Sequence, residues 1–160
     1  MINYVAEVNI MSEKDPGFIV KFFDKAYEDK GIVELVKAPV SAISGVSESD
    51  AEDLRKAFGI KTVEDLATNG YVRLAQGINC FSACSGQILD KEFESKEYED
   101  LAENPVSAIS GISEGDAALL KKAFGIDNIR ELAENKYVLI AQATVTLTSL
   151  VQFLVDVGAL

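Results

Sequence analysis

Cys80 and Cys84, in the run Cys80-Phe81-Ser82-Ala83-Cys84, are spaced so that a helix would set both thiols on one face, one turn apart. Such a pair can take a soft metal ion or an adduct, but a closed tetrahedral site needs two further ligands. The chain has no histidine and no third cysteine to supply them. Without imidazole, Ser-His-Asp and Cys-His catalysis are excluded within one chain. The two cysteines are therefore expected as small core residues, and a disulfide between them inside one helix would be geometrically poor. Carboxylates gather at Glu48, Asp50, Glu52 and Asp53, and again at Glu97, Glu99, Asp100 and Glu103. Neither group has calcium-loop spacing or the look of an acid/base pair, so both read as solvated helix faces. No glycine-rich phosphate cradle occurs. The expectation is a protein without catalytic residues, metal or cofactor, and not an enzyme.

The elements that would position these groups are written twice. Residues 39–76, PVSAISGVSESDAEDLRKAFGIKTVEDLATNGYVRLAQ, return as residues 105–142, PVSAISGISEGDAALLKKAFGIDNIRELAENKYVLIAQ. At an offset of about 66 the copies agree at about 24 of 38 positions, so one structural unit is used twice. In each copy a glycine, Gly45 or Gly111, ends an apolar segment, and Ser47 or Ser113 then stands where a helix needs an N-cap, with Asp50 or Asp116 three residues on. Ala51, Leu54, Ala57 and Phe58 recur at helical spacing, and Gly59, like Gly125, stops the helix with Ile60 folding back on Leu54. Thr62 to Asp65, and Asn128 to Glu131, open a further short helix by the same capping logic.

The pattern Ile43-x-Gly45-Val46-Ser47-x-x-x-Ala51-x-x-Leu54, followed by Phe58-Gly59-Ile60-x-Thr62-Val63-x-x-Leu66, resembles the helix-hairpin-helix family. The resemblance covers about half of the chain and implies small paired helical modules, many of which hold the DNA backbone without reading sequence. That use relies on a Gly-apolar-Gly turn whose backbone N–H groups approach a phosphate. Here Ser47 and Ser113 replace the second glycine, and carboxylates follow at the positive end of the helix dipole, which opposes phosphate binding.

Outside the duplicated stretch, Ser12 to Pro16 read as a helix start. Phe18, Ile19, Phe22, Phe23, Ala26 and Tyr27 then predict one amphipathic helix with an aromatic face turned to the core. The same offset carries residues 22–35 onto 88–101, so this helix belongs to the repeat. Residues 71–89 predict a mostly buried helix through Val72, Ala75, Ile78, Phe81, Ile88 and Leu89, with Gly77 and Gly86 marking close helix packing. The matching segment 137–157 is rich in β-branched residues and has a strand-like Val-Thr-Leu-Thr portion, but the repeat argues for helix. The expected fold is all-α, one domain over 1–160, with repeats at approximately 18–83 and 84–149 and a truncated third unit at 150–160.

With 160 residues, 48% of them hydrophobic, the chain can bury a proper core. Its net charge of −11 disfavours nucleic acid and anionic membrane surfaces and suits a basic partner. No charged-then-apolar leader and no apolar run near eighteen residues are evident, so no membrane contact is expected and a cytoplasmic address follows by default. The sequence reads as a non-catalytic protein-interaction or assembly module. The rival is a sequence-independent DNA-binding protein, and a weaker third reading is a carrier of an apolar ligand between the long helices. Leu154, Val155, Val157 and Leu160 leave the last unit without a polar cap and form a candidate interface. Either the segment 4–10 covers them or a second copy does, and the homodimer is the favoured outcome.

Overall fold

Every regular element among residues 17–159, the part described by this computed structural model, is a helix or a helical turn, so the fold is all-α. The α-helices are α1 (Ile32–Lys37), α2 (Glu48–Phe58), α3 (Val63–Thr68), α4 (Gly70–Ile88), α5 (Lys96–Glu99), α6 (Glu114–Phe124), α7 (Ile129–Ala133) and α8 (Lys136–Asp156), with 3₁₀ turns between them. Their starts are fixed by side chains: Ser47, Thr62, Ser113 and Asn128 each accept the backbone N–H three residues on, and Asp50, Asp65, Asp116 and Glu131 reach back to the cap. Each such cap stabilises its helix by about 1 kcal/mol. Gly59 and Gly125 end α2 and α6 at φ 71° and 69°.

The packing crosses between the two halves. α2 lies against α6, α3 against α8, and α7 against α4, so each short hairpin helix rests on the long helix that follows the other hairpin. Several core residues lie 66 positions apart in the chain: Leu54 and Leu120, Ile60 and Ile126, Leu66 and Leu132, Val72 and Val138. Fully burying each Leu, Ile or Val is worth roughly 1.5–3 kcal/mol, so these pairs supply much of the stability. Each hairpin segment is also pinned to the turn after its α2- or α6-terminating glycine. Val40 N–H donates to Lys61 O and Val106 N–H to Asp127 O, both at 3.0 Å.

The expected amphipathic helix at the amino end is absent from Gly17 onward; its proposed start at Ser12 lies outside the described residues. Instead there are 3₁₀ turns at Gly17–Phe22 and Lys25–Tyr27. The reason is backbone pairing: Ser44 N–H donates to Phe22 O at 2.8 Å and Asp24 N–H to Ala42 O at 2.9 Å, which a continuous helix would forbid. Ile19 and Phe23 still reach the core, whereas Phe22 and Ala26 are exposed. The matching segment 88–101 is broken too, with a 3₁₀ turn at Lys91–Phe93, 66 positions after Lys25–Tyr27.

α4 forms where expected, but two details differ. A Cβ added at Gly77 would meet nothing within 4 Å, and one at Gly86 only Glu99 Oε1 at 3.8 Å, so neither glycine serves close packing. Ile88 is exposed at the helix end. α8 is helical despite its β-branched content because Val138, Ala141 and Thr144 pack into the core along one side, and its hydroxyls find partners within the helix. Thr144, Thr148 and Ser149 donate to the carbonyls of Ile140, Thr144 and Val145 at 2.8, 2.9 and 3.0 Å. The helical stretch Ile129–Asp156 contains an 18-residue window of mean hydropathy 1.8, interrupted by Gln, Thr and Ser but long and apolar enough by length and composition to cross a membrane. Within it Val138, Ala141 and Thr144 lie in the core.

Candidate functional site

The two hairpin turns bring together what the sequence marks as special. Gly45 and Gly111 sit at φ 93° and 97°, a region that disfavours any residue with a Cβ. Beyond them, Val46 N–H and Ile112 N–H are spent inside the turn on Ile43 O and Ile109 O, both at 3.0 Å. Ser47 N–H donates to Asp50 Oδ2 at 2.9 Å, and the Ser47 hydroxyl to the same oxygen at 2.7 Å. Ser113 and Asp116 repeat this at 3.0 and 2.7 Å. The backbone donors of Val46, Ser47, Ile112 and Ser113 thus already serve the chain's own carbonyls and carboxylates. Nearby, the Arg55 guanidinium forms a two-pronged pair with Glu52, holding that carboxyl at about 2.

Each turn is closed from outside by a tyrosine of the other half. Tyr137 donates its hydroxyl to Gly45 O at 3.0 Å, and Tyr71 donates to Gly111 O at 3.1 Å. The rings pack on Phe124 and Phe58, with centroids 4.6 and 4.9 Å apart. Between the long helices Gln76 and Gln142 exchange side-chain hydrogen bonds of 2.8 and 2.9 Å. Sequence reasoning missed these four residues as partners. A signal existed: Tyr and Gln are identical in the two copies while their neighbours Gly70, Arg73 and Leu74 change.

Asp116 and Asp65 respond to pH. The Ser113 hydroxyl and backbone N–H hold Asp116 below the usual aspartate range. At Asp65 burial pushes the carboxyl up, but the Thr62 and Lys61 N–H groups outweigh it and the net shift is down. A carboxyl that is more acidic in the folded state lends stability that is complete above its unfolded pKa and is lost as pH falls through the folded one. The melting temperature should therefore hold from neutrality to about pH 5 and fall below about pH 4. Circular dichroism melts across that range check this, and Asp65→Asn with Asp116→Asn should flatten the acid limb while lowering the neutral plateau.

Other expected sites are placed differently. Cys80 is exposed and Cys84 half-buried, so the expectation of two core cysteines fails. The face they occupy turns away from the helix contacts, while Ser82 and Ser85 on the same helix are buried. The Cys84 thiol donates to Cys80 O, and burial pushes its pKa up. Among the described residues no three His, Cys, Asp or Glu side chains gather to hold a metal. Of the candidate interface, Leu154 and Val155 are half-buried, Val157 is 58% exposed, and Leu160 lies outside the described residues, as does the segment 4–10. Leu150 and Phe153 are exposed beside them. A crevice of about 320 Å³ between α3, α4 and α8 is lined by Thr68, Arg73, Gln76, Gln142 and Thr146 together with the apolar Ala67 and Val145, a mostly polar set. The chain matches no protein-family model, no curated protein and no solved structure.

Proposed function

We propose that this protein is a non-catalytic interaction or assembly module, built from two helix-hairpin-helix-like units that use their hairpins on one another. The observation that carries this reading is the closure of both turns: Tyr137 on Gly45 O, Tyr71 on Gly111 O, and an aspartate on each serine N–H. In the family it resembles, that turn approaches a phosphate; here it is a clasp. The cross-packing of α3 on α8 and α7 on α4, and the paired core residues, support the reading of the chain as an internal pair of like units. Its outward surfaces are then free for protein partners, among them a second copy through the exposed Phe153 and Val157 near the end of α8.

Two measurements test this. Fluorescence anisotropy with a labelled duplex should show no binding tighter than about 10⁻⁴ M at physiological salt. A micromolar, salt-sensitive signal would favour the DNA-binding rival. Light scattering should show a dimer for the intact chain and a folded monomer for Phe153→Glu with Val157→Glu, whose side chains are exposed enough to change without disturbing the core. A monomeric intact protein would remove the second copy as a partner.

A further inference from the structure

At the far end of α4 the chain presents an apolar surface set among acids. Ile88 and Phe93 are each 62% exposed, one at the helix end and the other in the following 3₁₀ turn. Tyr98, on α5, is exposed as well, its ring held edge-on at 5.5 Å against Phe81, which lies two turns before Ile88 on α4. α5 is fastened to α4 by the Ser82 hydroxyl, which donates to Glu99 O. Residues 88–103 hold seven carboxylates against two lysines, all exposed. Glu103 is held by Arg130 at 2.7 Å; among the described residues none of the other six has an ion-pair partner. The aligned segment 22–37 is nearly balanced, with four carboxylates against three lysines, so it does not share this excess.

An apolar patch is worth burying, yet crowded unpaired carboxylates repel one another and oppose any neutral or acidic cover. Only a cover that brings its own positive charges relieves both costs. We infer that Ile88, Phe93 and Tyr98, with the carboxylates around them, form a docking surface for a cationic amphipathic helix of a partner protein. The partner's apolar stripe lies on Ile88 and Phe93, and its flanking lysines or arginines meet Glu92, Glu94, Glu97 and Glu99. This inference rests on the interaction-module reading and names the chemistry of the partner.

The test is anisotropy of a labelled 18-residue amphipathic peptide with leucines on one face and lysines on the other, against a control carrying the same leucines and glutamates. The cationic peptide should bind the intact protein in the micromolar range, with affinity falling as salt rises, and the acidic control should not bind. Ile88→Glu with Phe93→Glu should weaken binding at least tenfold. Glu92→Gln with Glu94→Gln should weaken it several-fold with an unchanged melt. Removing two exposed carboxylates elsewhere, Glu28→Gln with Glu64→Gln, should leave it unaltered. No binding, equal binding of both peptides, or equal loss from the Glu28/Glu64 variant would overturn the proposal. None of these outcomes bears on the hairpins. A failure here leaves the module reading standing, whereas micromolar duplex binding would sink that reading whatever the peptide does.

Discussion

Gly111→Ala is expected to lower the melting temperature two to three times as far as Gly125→Ala, about 8 °C against about 3 °C for a domain of this size. Both glycines have positive φ, 97° and 69°, so each replacement carries a backbone cost of roughly 1–2 kcal/mol. They differ in what surrounds them. A Cβ at Gly125 meets nothing within 4 Å, whereas one at Gly111 would lie 2.6 Å from Tyr71 Oη and 3.2 Å from Tyr71 Cε1. Tyr71 must then move, losing its hydrogen bond to Gly111 O, worth about 0.5–1.5 kcal/mol, and part of its packing on Phe58. Gly45→Ala should follow Gly111→Ala, since its Cβ would lie 2.9 Å from Tyr137 Oη. Making Gly111→Ala in a Tyr71→Phe background removes the oxygen that clashes and should recover part of the loss. Equal melts for Gly111→Ala and Gly125→Ala would show that the tyrosine yields freely and that the clasp contributes little.

What the sequence announces and what it hides divide along a physical line. Helix starts and stops were legible because they are local: Ser47 needs only Asp50 to make its cap, and Gly59 needs only its own φ. The duplicated pattern marked matching positions but not that the two halves pack across one another, because two copies of a pattern do not say how they face each other. Residues 22–35 misled because their apolar spacing is helical, while the backbone pairing of Phe22 and Asp24 with Ser44 and Ala42 depends on a segment twenty positions away. The cysteines misled for a related reason. Their spacing sets both on one helix face but does not say whether that face meets the core, and Leu150, which matches Cys84 in the other copy, is exposed too.

Asp53 is the case where the repeat is silent, and it carries the second large effect. Its position is held by Leu119 in the other copy, so nothing in the duplication marks it. Contrary to the solvated helix face expected for its cluster, it lies in the α2–α6 contact, 3% exposed, with Oδ2 2.6 Å from Lys122 Nζ. The ammonium reaches in from solvent, its side chain 62% exposed. Deleting the partner of a fully buried charge costs about 3–5 kcal/mol, but water can follow the path that Lys122 now occupies and screen the carboxylate. Lys122→Met is therefore expected to destabilise by about 1–3 kcal/mol, measured by urea unfolding at neutral pH. Asp53→Leu should be neutral or stabilising, since a buried ion pair rarely outweighs well-packed apolar groups of similar volume and the other copy already holds leucine there. The double variant should then recover most of what Lys122→Met loses, because the unpaired charge is gone. If Asp53→Leu instead destabilises as much as Lys122→Met, and the losses do not add, the pair itself stabilises the contact and the two halves are held together by charge as well as by packing.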